Sequence, residues 1–115
     1  MINTAVYEKL IEIARSRQTI SYGELGQVAD VSLDTDEGMK NLGFMLDGIA
    51  DQELAAGRPL LAIVVVSGKT GMPGAGLFKY ARRKGIQKAD DVTFFATELN
   101  RVYAHWAPAK LSGRT

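Results

Sequence analysis

Leu60, Leu61, Ala62, Ile63, Val64, Val65 and Val66 follow Pro59 without a polar residue among them, and this run constrains the chain more than any other feature. It is too short to span a membrane. Its β-branched members favour a strand, and the lack of polar alternation predicts burial on both faces. The other elements must then cover it from both sides. Residues 68–76 come next, with four glycines and one proline, and a short helix is expected over 76–83 with Leu77, Phe78 and Tyr80 packing inward. A buried strand that feeds a glycine-rich turn is a common place for a small domain's working surface.

Helical periodicity accounts for most of the rest. Val6, Leu10, Ile11, Ile13 and Ala14 form an apolar stripe over 4–15, with Asn3 or Thr4 as the cap. Ser21-Tyr22-Gly23-Glu24 has the Ser-x-x-Glu form of a capping box and opens a helix that turns Leu25, Val28 and Ala29 inward and ends near Asp30. Ser32, Asp34 or Thr35 can cap a longer helix over 36–55, whose expected apolar face is Met39, Leu42, Met45, Leu46, Ile49 and Leu54. Gly57 suits its C-terminal turn, and Pro59 stops it. A last helix starts at Asp90 or Asp91 and carries Val92, Phe95, Ala96, Leu99, Val102, Tyr103 and Trp106 before Pro108.

The length of 115 residues fits one domain with a core of its own, assigned to 1–108, with 109–115 as a disordered tail. The chain has no cysteine, which excludes disulfides, thiolate metal sites and cysteine nucleophiles, and a single histidine leaves little for zinc. No metal and no cofactor is expected. The N-terminus lacks the basic and apolar regions of a signal peptide, so a cytoplasmic location with no membrane partner is the expectation. The net charge of +1 conceals a split. Residues 1–60 carry five basic against ten acidic side chains (−5), and residues 61–115 carry nine against three (+6). Such a split marks an acidic and a basic face, or simply solvated surfaces.

Helix, short extended piece, helix, helix, then strand and glycine-rich return is the order of a winged helix-turn-helix, in which the third helix reads DNA and a β-hairpin forms the wing. Ile20-Ser21-Tyr22-Gly23-Glu24, followed by Val28-Ala29, resembles the DNA-binding domain of the alkylguanine alkyltransferases and alkyltransferase-like proteins, where a Thr-Tyr-Gly piece precedes the first helix of the motif. The resemblance covers about residues 1–76 and implies a winged-helix-like core that binds DNA. The family's Pro-Cys-His-Arg stretch is absent, which excludes alkyl transfer. The strand and loop also resemble small bacterial proteins with a Pro-Leu-Leu strand and a Gly-x-Pro-Gly-x-Gly loop, a likeness that implies no activity. The expected fold class is α+β: a winged-helix-like core, a glycine-rich loop and a packed C-terminal helix.

The candidate sites are few. The amides of Gly71, Gly74 and Gly76, with the N-terminus of the following helix, can cradle an anion, or the glycines can simply form a tight turn. Ser67-Gly68-Lys69-Thr70 is not a P-loop, because Ile63 stands where that motif needs its first glycine. Lys79, Arg82, Arg83 and Lys84, with Lys69 and Lys88 nearby, can meet a phosphate backbone or form the solvated end of a helix. The helix over 36–55 presents Glu37, Lys40, Asn41, Asp47 and Asp51, a net acidic set that phosphates would repel. His105 has neither an orienting partner nor a nucleophile in the sequence, so no enzyme is expected. The first expectation is a small non-enzymatic module that binds DNA or RNA through Lys69, Lys79, Arg82, Arg83 and Lys84. The alternatives are a protein-interaction module or homodimer, and a phosphate-ligand site at 71–76.

Overall fold

Five helices surround a buried bend and a two-stranded parallel sheet in the computed structural model, which describes residues 3–108. The tail expected at 109–115 lies outside the described residues. Helix α1 (Thr4–Arg15) is capped by Asn3, whose side chain accepts the Val6 N–H at 3.1 Å. Strand β1 (Ile20–Ser21) leads into α2 (Tyr22–Ala29), and Ser21 and Glu24 form the expected capping box. Thr35 caps α3 (Asp36–Ala55) by accepting the Gly38 N–H at 3.0 Å. Helices α4 (Ala75–Arg83) and α5 (Asp91–Trp106) complete the chain, with Asp90 accepting the Thr93 N–H at 2.7 Å. None of these helices is long and apolar enough to cross a membrane.

The apolar run is buried as predicted but is only partly a strand. Leu61–Val64 forms a 3-10 turn, and only Val65–Val66 (β2) is extended. β2 pairs in parallel with β1, Ile20 opposite Val65 and Ser21 opposite Val66. The expected hairpin return is therefore not present among the described residues; the chain after β2 goes into loop and helix instead. Burial explains the change. An extended segment points side chains to two faces only, whereas a tight turn spreads them around an axis, and here α1, α3 and α5 all pack against that turn. Residues 60–64 are at most 3% exposed.

Two carboxylates fix the entry to this bend. Glu53 on α3 is fully buried and takes two hydrogen bonds from the Arg58 guanidinium at 2.9 and 2.8 Å and one from the Tyr7 hydroxyl at 3.0 Å. Glu98 on α5 is 4% exposed; it accepts the Leu60 N–H at 2.8 Å and an Arg101 N–H at 2.6 Å. A buried carboxylate is tolerated when its lone pairs are filled in this way. Residues 53–60 are thus tied to α1, α3 and α5 at once.

The same contacts correct two helix faces. On α5 the buried residues are Phe94, Glu98, Val102 and Tyr103, while Val92 is 67% exposed and Ala96 also faces out. The stripe is rotated because the Glu98 carboxylate must reach Leu60. On α3, Met39 is 57% exposed rather than in the core, and Glu53 occupies a core position at the other end. Tyr103 closes α5 onto the turn after α1 through a 2.7 Å hydrogen bond to the Gln18 carbonyl.

Candidate functional site

The α3–α4 seam holds what the core leaves unused. Both Gly43 on α3 and Gly76 on α4 line one cleft, and Asp51 on α3 meets Tyr80 and Lys84 one to two turns further along α4. The two helices therefore point the same way, bridged by long side chains. At the C-terminal end of the seam the Tyr80 hydroxyl donates to Asp51 at 2.5 Å, and the Lys84 ammonium lies 3.6 Å from the same carboxylate. That hydrogen bond, together with Lys84, holds the Asp51 pKa below the ordinary carboxylate value. Burial, and then the same Asp51 contact, pushes the Tyr80 pKa up. The Arg83 guanidinium sits 5.3 Å from the centre of the Tyr80 ring.

At the N-terminal end the seam opens into a cleft of about 330 Å³. Tyr22 of α2, Met39, Gly43 and Leu46 of α3, Ala62 of the 3-10 turn and residues 74–77 line it. The lining is almost wholly apolar. Tyr22 closes one side, because its hydroxyl accepts the Gly74 N–H at 2.8 Å. A smaller void of about 80 Å³ continues behind Met39 toward Leu33 and Leu42. Phe44, next to Gly43 but turned outward, is 71% exposed.

The glycines of α3 fall into two kinds. A Cβ on Gly38 would lie 1.6 Å from the Ser32 carbonyl oxygen, so that position admits no side chain. At Gly43 and Gly48 a Cβ would meet nothing within 4 Å, and neither has positive φ. An uncrowded helical glycine is less favourable than alanine by about 1 kcal/mol. The fold itself draws no benefit from either residue.

Three members of the basic cluster have partners within the chain. Arg82 is hydrogen-bonded to Asp91, Lys84 is paired with Asp51, and Arg83 stacks on Tyr80. Lys69, Lys79 and Lys88 are exposed and form no salt bridge among the described residues. Several amides of the glycine-rich loop have partners within the chain. Gly71 N–H bonds the Ser67 carbonyl at 2.8 Å with φ +69°, Lys69 N–H bonds the Ser67 hydroxyl at 3.2 Å, and Met72 N–H bonds the Thr70 hydroxyl at 3.1 Å. With Gly74 N–H on Tyr22, these donors are occupied by the protein, whereas Gly76 belongs to the cleft wall. His105 packs edge-on against Trp106, with ring centres 4.9 Å apart.

Gly74 and Gly76, expected to cradle an anion, lie in the cleft wall, and the sequence did not point to Tyr22 in that wall or to the exposed Phe44. Phe44 had a legible signal: it sits off the helical stripe drawn through Leu42, Leu46 and Ile49, so a buried position was never open to it. Tyr22 had none, since its partner is an amide 52 residues away. No family model matches this chain, and no curated protein or solved structure matches it either.

Proposed function

We propose that this chain is a non-enzymatic recognition module that binds a protein partner through the outward face of α3 and the cleft behind it. The order α1, β1, α2, α3, β2 supports a winged-helix-like core, with the loop over 67–74 standing where a wing would be. In that frame α3 is the presenting helix. Its outward face carries Asp36, Glu37, Asp47 and Asp51 against Lys40, which disfavours a phosphate backbone and favours protein.

The observation that carries this reading is the exposure of Phe44 on the outward face of α3, with Met39 also exposed at the edge of an open apolar cleft. Single exposed apolar residues are ordinary, but Phe44 stands amid the charged outward face of α3 and Met39 borders an open apolar cleft, so one helix offers two apolar features of the kind that mark interaction sites. The test is a photoreactive residue in place of Asn41, introduced in living cells. A protein adduct is expected, and Phe44→Asp is expected to abolish it. Absence of any protein adduct overturns the reading.

Binding of DNA or RNA is the second reading, favoured by Lys69, Lys79 and Lys88, which form no salt bridge among the described residues. Duplex binding that weakens steeply with salt and is lost when these lysines are replaced by glutamate supports it. Equal binding at low and high salt defeats it.

A further inference from the structure

We infer that the cleft between α3 and α4 binds a small, uncharged, largely apolar molecule that carries one hydrogen-bond acceptor. The inference goes beyond the protein-partner reading and does not depend on it, because Phe44 points away from the cleft and takes no part in its lining. At about 330 Å³ the cleft lies at the small end of the range in which proteins hold ligands, about 300–1,000 Å³. Residues of α2, α3, the 3-10 turn and the start of α4 all contribute to its wall. Ligand pockets are mostly apolar with a few placed polar groups, and this wall has that make-up.

Two glycines make the room. Gly43 on α3 and Gly76 on α4 both line the cleft, a Cβ at either would meet nothing within 4 Å, and neither has positive φ. No backbone conformation or close approach calls for glycine at either position, and alanine would suit both helices better. What the missing side chains leave is cleft volume. Met39, long and unbranched, stands between this volume and the void of about 80 Å³ behind it, so a change of its rotamer admits a longer ligand. The wall also selects the class of ligand. No charged side chain belongs to the lining, so a charged molecule would lose its hydration with no ion to replace it. The one polar side chain in the lining is Tyr22. Its hydroxyl accepts the Gly74 N–H at 2.8 Å, and its own proton has no acceptor among the described residues. A hydroxyl has one proton to donate besides the lone pairs that accept, so the group that Tyr22 can still satisfy is an acceptor, a carbonyl or ether oxygen of the ligand.

The experiment is titration of the isotope-labelled full chain, followed by amide NMR, with three probes that share one ring: acetophenone, ethylbenzene and benzoate. The amide resonances of Gly43, Gly74 and Gly76 are expected to shift saturably with acetophenone and with ethylbenzene and to stay in place with benzoate. Gly43→Leu and Gly76→Leu fill the cleft from opposite walls, and each should abolish the shifts at the remaining glycines, with circular dichroism melts showing that the variants are folded. Tyr22→Phe removes the donor and should lower the ratio of acetophenone affinity to ethylbenzene affinity about fivefold, the worth of one hydrogen bond. A purely structural role for Tyr22 would weaken both probes together and leave that ratio unchanged. No saturable shift with either neutral probe overturns the inference, as does binding that survives both filled variants. Benzoate that binds as tightly as acetophenone, or a ratio unmoved by Tyr22→Phe, also overturns it. If the cleft takes no probe and the Asn41 probe still captures a protein, this inference fails and the protein-partner reading stands.

Discussion

Helix α3 carries a charged residue where an apolar one is ordinary and an apolar residue where a charged one is ordinary. Near its C-terminus Glu53 is fully buried; near its middle Phe44 is 71% exposed. The two differ in what surrounds them. Glu53 has all its demands met inside the chain, by Arg58 and by the Tyr7 hydroxyl, and its role ends with holding the bend at residues 58–60. Phe44 points to solvent and belongs neither to the core nor to the cleft wall. A buried polar group with every partner present holds the fold together, whereas an exposed apolar group contributes little to it.

The sharpest way to break this comparison is to remove the buried charge. Glu53→Ala leaves the Arg58 guanidinium and the Tyr7 hydroxyl without an acceptor in or near the core, and it is expected to lower the unfolding free energy by about 3–5 kcal/mol. A urea denaturation curve reads this directly. A midpoint unchanged from the parent protein means that the bend is held by apolar packing alone, and the contrast between the two ends of α3 loses its basis.

Gly43→Ala comes next in size and has the opposite sign. No atom stands within 4 Å of the added methyl, so helix propensity alone decides, and stability should rise by about 1 kcal/mol. The same methyl narrows the cleft, so partner capture at Asn41 should weaken as the melting temperature rises. Gly38→Ala is the internal control, because there a Cβ runs into the Ser32 carbonyl and the variant must lose stability. A destabilised Gly43→Ala would mean that α3 needs the glycine for itself.

These residues also mark how far the sequence could be read. The helices were legible because their caps and stripes are local: Asn3, the Ser21–Glu24 box, Thr35 and Asp90 each act within three residues. The burial of residues 60–66 was legible from composition, yet their path was not. Whether seven apolar residues run straight or coil depends on the elements around them, and α1, α3 and α5 approach from directions that the run itself does not encode. The exposed faces were hardest. The basic residues over 79–84 look like a binding cluster in the sequence, but Asp51 and Asp91, from elements on either side, occupy two of them. Glu53 lies on the apolar stripe of α3, one turn after Ile49 and Ala50, and that position alone could have revealed a buried carboxylate.

Acidification tests the seam that joins the two regions. Asp51 has a folded-state pKa below its ordinary value, chiefly because the Tyr80 hydroxyl donates to it, with Lys84 adding its charge. A carboxylate depressed on folding contributes stability that is fully present above its unfolded pKa and is lost as pH falls through the folded value. The melting temperature should therefore drop modestly as pH falls below the usual carboxylate range. Asp51→Asn should be less stable than the parent at neutral pH and flatter across that acidic window. Identical pH profiles for the two proteins would show that Tyr80 holds α4 without help from the charge.

The smallest expected effect on stability is the most informative about purpose. Phe44→Ser removes a large apolar side chain that touches little of its own fold, so the unfolding free energy should stay within about 0.5 kcal/mol of the parent. A core phenylalanine treated in the same way costs about 3–5 kcal/mol, and Phe78, 5% exposed on α4, supplies that comparison in the same molecule. Equal losses at the two positions would mean that Phe44 is part of the core and that the outward face of α3 has no apolar group to offer. A large loss at Phe78, none at Phe44, and loss of the Asn41 cross-link only at Phe44 would separate the side chains that make this fold from the one that the fold presents.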